Sequence, residues 1–295
     1  MNRQRGIALV QVLLITGIIG LLMLQMGLTA REQVARAQAL ADRAELQLAA
    51  QSRESALLYS LLTEPLAQDP ESDNPYAATW NFRGVPFTVD GITFTIQDES
   101  GRMRVPDQDG AEFEQLLQGL DVAPDRARRL TRELLELQGS RVQTRALGEA
   151  DRAVASPDGG LYPLQDLGQL RLLPSMDAAL FARLRPLLTL YPTPGFNPTT
   201  APQELLAARL TGSQARGVAD ARTVGEVDAL TLWKLTGSQA DETTVLAPGP
   251  GLTVRLEMGL RQAHTTRTTT FMVRPYQAEA VAVWQRSRDA TGQEE

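Results

Sequence analysis

The sequence predicts an α+β chain: a long N-terminal α-helix packed on an antiparallel sheet, with a large all-helical domain inserted between strands. Three observations carry that prediction. An uncharged apolar run opens the chain and leads into a helix-forming segment with no glycine or proline from residue 28 to 64. Period-two alternation of apolar residues occupies two separated stretches, one near 87–105 and one near 252–283. Between them the apolar period changes to 3.6, the period of a helix face.

The bulk numbers narrow the function classes. With 295 residues, 43% of them hydrophobic, the chain can bury a sizeable core. A net charge of −6 lacks the basic excess of a general nucleic-acid binder. Cysteine is absent, which excludes a disulfide framework, a thiolate zinc site and a cysteine nucleophile. The single histidine, His264, would have to serve any imidazole-based catalysis, and its place among threonines between two strands predicts an exposed turn residue.

From Ile7 to Leu28 there are 22 residues without a charge, and only Gln11, Thr16 and Gln25 are clearly polar. At about 1.5 Å of rise per residue this run can cross roughly 30 Å of hydrocarbon. Arg3 and Arg5 precede it, which favours a cytoplasmic N-terminus and translocation of everything after the run, although Arg31 and Arg36 follow it. The residues alone leave two readings open: an uncleaved signal anchor, or a secretory signal cut near the small residues of "GLTA".

The segment that follows is rich in Ala, Leu, Gln, Glu and Arg, all good helix formers. One helix is therefore expected from residue 7 to 64, about 85 Å long. Val34, Ala37, Leu40, Ala41, Ala44 and Leu48, then Leu57, Leu58, Leu61 and Leu62, recur at helical spacing. The spacing is not a sustained heptad, which predicts a stripe packed on a globular domain rather than a coiled-coil stalk. Residues 65–80 read as a loop with three prolines. Asp69, Glu71 and Asp73 alternate there, but the glycine and distal glutamate of an EF-hand loop are missing, so a solvated loop is expected.

Phe87 and Val89, the turn pair Asp90–Gly91, and then Ile92, Phe94 and Ile96 give a hairpin signal. "DESGRMRV" reads as a turn and a further strand. Residues 65–105 thus form the first part of a sheet, and 106–240 a helical insertion. Within the insertion, Leu116, Leu117 and Leu120 form one helix face and Leu130, Leu134, Leu135 and Leu137 another, with Pro124 at a start and Gly139 at a stop. Residues 139–163 are expected to be a long loop. "DLGQLRLLPSMDAALFARLRPLLTL" reads as helix, tight turn at Pro174–Ser175–Met176, and a second helix opening at Asp177 with Leu180, Phe181, Leu184 and Leu187 inward. Asn197 and Thr200 read as turn and cap residues, and Pro202 as the proline in the first turn of another helix. The sheet resumes over 241–286 in three strands, led by Leu252, Val254, Leu256 and Met258, by Phe271 and Val273, and by Val281 and Val283. Residues 287–295 are expected to be a polar tail.

Several of these lines resemble one family. A short basic leader, then Gly6, then an apolar helix from Ile7 is similar to the type III signal of type IV pilins and pseudopilins. That resemblance implies cleavage between Gly6 and Ile7 by a prepilin peptidase, leaving residues 1–6 as a leader peptide, and methylation of the new N-terminus at Ile7. It also places Gln11 at the fifth mature position, where most members carry a glutamate. The branch that generally lacks this glutamate is the K-type minor pseudopilin of type II secretion, the general secretion pathway protein K family. "QLRLLPSM…LFARLRPLLTLYP" and "GFNPTTAPQELLAARL" resemble two lines of that family's inserted domain, with Asn197, Thr200, Ala201, Pro202 and Leu205 in register. "RMRVPD" matches its next strand in part. "ELLELQGSRVQT" stands where the family has a stretch rich in tryptophan and aspartate. That departure leaves calcium open, and no cofactor is expected otherwise.

The resemblance implies a pilin-like fold and a non-enzymatic role at the tip of the periplasmic pseudopilus. It implies a single inner-membrane span, with the C-terminal body in the periplasm. The implied partners are the I- and J-type minor pseudopilins, the prepilin peptidase, the inner-membrane secretion platform and the secreted substrate. Two rivals remain. One is a membrane-anchored periplasmic helix-hairpin-helix module that binds DNA, as in competence; against it, the turn lacks the usual glycines and carries few basic residues beyond Arg171, Arg183 and Arg185. The other is a tethered enzyme; against it, the sequence shows no nucleophile–base pair, metal-ligand cluster or phosphate loop.

Overall fold

In a computed structural model, the structure describes residues 4–105, 110–148, 164–225, 227–237, 243–261 and 263–289. Helix α1 (Gln4–Thr63) is 60 residues long, about 90 Å at the standard rise. It starts before Gly6, so the Gly6–Ile7 peptide bond lies inside helical backbone. The loop expected over 65–80 contains a short helix, α2 (Pro75–Thr79), because Asn74 accepts the Tyr76 backbone N–H and Pro75 presets the first turn.

Strands β1 (Phe87–Val89) and β2 (Ile92–Asp98) form the expected hairpin, turned through Asp90 (φ 51°) and Gly91 (φ 76°). After β2 a single 3-10 turn leads to β3 (Met103–Arg104), which leaves the main sheet. It pairs in parallel with β4 (Leu188–Thr189) inside the helical unit. Chain order between them is α3 (Ala111–Gly119), α4 (Pro124–Gly148) and α5 (Ala178–Leu184); after β4 come α6 (Gln203–Arg209), α7 (Gly212–Val224) and α8 (Ala229–Thr236). Strands β5 (Gly251–Leu260), β6 (Ala263–Val273) and β7 (Val281–Asp289) complete a five-stranded antiparallel sheet of order β1-β2-β5-β6-β7. All helices from α3 to α8 are therefore spliced between two hydrogen-bonded neighbours, β2 and β5.

Two apolar clusters hold the chain. One lies between α1, α2 and the sheet, and includes Leu57, Leu61, Trp80, Phe94, Ile96, Leu252, Leu256 and Phe271. The other fills the helical unit with Phe113, Leu117, Leu130, Leu134, Leu170, Leu184, Leu205 and Leu206. Each apolar set on the strands faces α1, except Val283, which is half exposed because β7 is the outer strand.

Several expectations are corrected. Gly139 does not stop its helix. The turns of α4 continue to Gly148, since glycine in a helix interior costs only about 1 kcal/mol; residues 149–163 of the expected loop lie outside the described residues. The helix before Pro174 is a 3-10 segment, Leu167–Leu172, capped by Asp166. His264 is exposed as expected but sits in β6 opposite Gly259, not in a turn, because the hairpin closes earlier at Arg261. Strand β7 runs to Asp289, past the start of the expected tail, and 290–295 lie outside the described residues.

The stripe on α1 differs most. Val34, Leu40 and Leu48 are 65%, 64% and 70% exposed, and Ala37, Ala41 and Ala44 are exposed with them. The face that meets the sheet is instead Leu46, Ala50, Glu54, Leu57 and Leu61, steps of four, four, three and four. The two faces are rotated from each other, and the sheet is only long enough to cover the C-terminal third of the helix.

Candidate functional site

Helix α1 presents an unpartnered surface over most of its length. Every residue from 11 to 41 is exposed, and the helix is long and apolar enough to cross a membrane. Gly6 and Ile7 lie in its first turns, and Gln11 faces outward one turn later. Beyond the apolar run, Val34, Ala37, Ala41, Ala44 and Leu48 are separated by alternating steps of three and four, which places them on one side of the helix. Four small or β-branched residues and one leucine there leave room for a second helix to approach closely.

Where α1 meets the sheet, a buried ion pair fixes its rotation. Glu54 Oε2 lies 2.6 Å from Arg267 Nη2 on β6, and Glu54 Oε1 accepts from the Thr269 hydroxyl at 2.6 Å. Both side chains of the pair are under a tenth exposed. Arg286 on β7 stands 3.8 Å from the same carboxylate, and Asp42, further up the helix, pairs with Arg261 at the β5–β6 turn. The sequence reading missed Glu54. The available signal was an acidic residue at a position that keeps step with Ala50, Leu57 and Leu61.

A second buried group ties the sheet to the helical unit. The Asp98 carboxylate, at the end of β2, is fully buried and accepts four hydrogen bonds. They come from Ser100 N (2.9 Å), Gly249 N (3.2 Å), Asn197 Nδ2 (3.2 Å) and Thr200 Oγ1 (2.8 Å). Asn197 also donates to the Ala247 carbonyl (2.9 Å), and its Oδ1 accepts from Thr199. Three strands of chain therefore converge on one carboxylate: the exit from the sheet, the loop before α6, and the return to β5. Packing is close enough that a Cβ on Gly101 would come within 2.5 Å of the Thr200 carbonyl, and one on Gly249 within 2.3 Å of Ser100 Oγ. Burial pushes the Asp98 carboxyl above its ordinary range, while the bonds from Thr200, Ser100 and Gly249 pull it back.

Asn197 and Thr200 are thus brought together, though as buried partners of Asp98 rather than as helix caps. Pro202 sits one residue earlier than expected. It is the N-cap of α6, with φ −55° and no side-chain cap. Asp177 caps α5 through the Leu180 N–H (2.7 Å) and pairs with Arg126 (2.6 Å), which hold its carboxyl below the usual range.

The tight turn before Asp177 bears on the DNA-binding rival. The Ser175 N–H and hydroxyl both donate to Glu133, at 3.0 and 2.7 Å, so a carboxylate already occupies the place a phosphate would take. Arg171 lies over the Phe181 ring, and Arg183 donates to the Leu120 carbonyl. A mobility-shift assay at low salt should show no complex with double-stranded DNA. Asp69, Glu71 and Asp73 are exposed, and Asp69 accepts the Glu71 backbone N–H. Among the described residues there is no group of three or more His, Asp or Glu side chains placed to hold a metal ion.

Comparison with known proteins adds a third line to the helix and the joint. Residues 95–193 match the family model of type II secretion system protein K. This stretch begins three residues before Asp98 and takes in α3, α4 and α5. Type II secretion system protein K of Klebsiella pneumoniae is 32% identical over 204 residues, which span 63% of this chain and 62% of the relative's own length. The fold resembles a chain in the crystal structure of the GspK-GspI-GspJ complex from the enterotoxigenic Escherichia coli Type 2 Secretion System. That match has a TM-score of 0.53 and 21% identity, and it covers 89% of this chain and 99% of that one. With a long exposed helix, a sheet split by a helical unit and the matched stretch at their junction, the chain is similar to type II secretion system protein K over part of its length: the family model matches 95–193, and the curated relative is matched over 62% of its own length.

Proposed function

We propose that this chain caps the tip of a periplasmic pseudopilus and helps start its assembly for the export of folded proteins across the outer membrane. The observation that carries the proposal is the pairing of a bare, small-residue face on α1 with a bulky helical unit spliced between β2 and β5. The first supplies a seam for sibling helices. The second, over residues 106–240, would block a further subunit from stacking above. The work is done by packing rather than chemistry: apolar helix surface leaves lipid and is covered by protein.

The supporting details follow from α1. A prepilin peptidase would remove residues 1–6 by cutting between Gly6 and Ile7 and methylate Ile7. The span over 7–28 would then hold the subunit in the inner membrane with its body in the periplasm, within reach of the secretion platform and of secreted substrate. Gln11 carries no charge, so it is cheaper than a glutamate to keep in lipid and makes no ionic demand on a neighbour's N-terminus. That suits a subunit that begins a fibre. The partners would be the I- and J-type minor pseudopilins, a reading supported by the origin of the structurally similar chain in a GspK-GspI-GspJ complex.

Co-expression of the full chain with the I- and J-type subunits, followed by purification on a tag on this chain alone, tests the reading. A stoichiometric complex is expected, and absence of both partners from the eluate would overturn it. Placing a charge in the seam with Leu48→Glu, at a site 70% exposed, should leave the fold intact and cut the co-purified partners at least about tenfold. Gly6→Val should leave the leader attached, read as an intact N-terminus by mass spectrometry. Normal trimming in that variant would remove Gly6 from the processing site.

A further inference from the structure

A cavity of about 690 Å³ opens between the sheet and the helical unit, away from the α1 seam and bordered by Thr200 and Ala247 of the Asp98 joint. Its walls are largely apolar: Leu66, Pro70, Trp80, Phe82, Leu246 and Pro248. Two arginines, Arg83 after Phe82 and Arg222 on α7, face the same space. They are bound to each other, since Arg83 Nη1 donates to the Arg222 backbone carbonyl at 3.2 Å. Arg222 is held by the Ala201 carbonyl at 2.6 Å and by Gln203 Oε1 at 3.2 Å. Neither arginine has a carboxylate within ion-pair distance among the described residues. Asp228, an acid among the described residues of this wall, accepts the Thr231 N–H at the start of α8. Burial and the charge of Arg83 press the Arg222 guanidinium down to about 10.

Two half-buried cations side by side are costly, because each loses hydration and repels the other. Proteins normally offset this with an acid, as this chain does at Arg267 and Arg126. Here no acid among the described residues pairs with either arginine, Arg83 has guanidinium N–H groups without a described partner, and the cavity beside it is in the size range of small-ligand sites. We propose that this cavity is a binding site for a carboxylate carried on an apolar body, with Arg83 and Arg222 gripping the anion and the Trp80–Phe82 wall taking the apolar part. Arginine suits that grip, since its planar fork matches a carboxylate. Two sources share the chemistry: a free organic acid, or the C-terminal carboxylate of an apolar peptide.

The test uses the full chain in detergent and ¹⁹F NMR line broadening of 4-(trifluoromethyl)benzoate, with 4-(trifluoromethyl)benzamide as the neutral control. A second arm uses an Ala-Leu-(4-fluorophenylalanine) peptide with a free C-terminus against its C-terminal amide. Saturable binding of the benzoate alone assigns a small acid, and binding of the peptide acid assigns a chain terminus. In either case Arg83→Gln should weaken the probe about tenfold or more, and the neutral controls should bind no better than to empty micelles. Arg222→Lys, which keeps the charge and loses the fork, should weaken it less than Arg83→Gln. No saturable binding of either acid, or equal binding of acid and amide, overturns the proposal; the wild-type comparison needs no variant to fold.

Discussion

Replacing Glu54 with alanine should lower the unfolding free energy by about 3 kcal/mol, near the low end of what breaking a buried ion pair costs. Glu54 is 5% exposed, and its two carboxylate oxygens serve Arg267 and Thr269 on β6. Truncation removes the acid and leaves the Arg267 guanidinium in the apolar layer without it. The loss concentrates at one place, because Leu57 and Leu61 remain to hold the end of α1 while the turns above Glu54 are freed. Urea unfolding of the full chain, followed by tryptophan emission, measures it. A second variant separates ion pairing from packing: Glu54→Leu combined with Arg267→Met should recover most of the loss, since a buried pair exchanged for apolar residues of similar size is often neutral. A single-variant cost below about 0.5 kcal/mol, the scale of a surface substitution, would mean that apolar packing alone sets the rotation of α1.

Asp98→Ala should cost a similar amount, about 3 kcal/mol, for a different reason. It strands three N–H donors, from Ser100, Gly249 and Asn197, in a buried joint, each at a penalty of about 1–3 kcal/mol before relaxation. The effect should fall on the connection between the units, so protease sensitivity should rise first near 197–200 and 247–249. The pH dependence has a definite sign. Burial lifts the folded carboxyl above its ordinary 3.8, so the folded chain keeps the proton over a window in which the unfolded chain has released it. Asp98 therefore favours folding most below pH 3.8 and loses that contribution as pH rises through the folded value. Asp98→Asn cannot ionise, so its stability deficit should narrow as pH climbs from 4 toward neutrality; a deficit that widens would contradict the assignment.

The legible parts of this chain are those in which one residue class repeats. The uncharged run, the Asp90–Gly91 hairpin and the leucine faces of α3 and α4 declare themselves through period and punctuation. The rotation of α1 was not legible, because Val34–Leu48 and Leu46–Leu61 both have helical spacing. Only the length of the sheet decides which of them is covered. Gly139 misled for a related reason: glycine marks a helix end statistically, but tolerates an interior position when the flanking turns are strong. Asn197 and Thr200 stood out in sequence, yet their partner Asp98 lies 99 residues from Asn197, and no local pattern joins them. Glu54 and Arg267 show the same limit, since a buried pair across a helix and a strand reads in sequence as two ordinary surface charges.

The central claim is that the bare face of α1 is where sibling helices pack. The chain has no cysteine, so one introduced thiol is unique in it. Leu48→Cys, on the exposed face, and Ala50→Cys, against the sheet, can be compared in cells that also make the I- and J-type subunits with matching helix cysteines. The account predicts a cross-linked heterodimer from position 48, lost when Gly6→Val blocks trimming, and none from position 50. Equal cross-linking from both positions, or none from 48 in correctly trimmed protein, would contradict it.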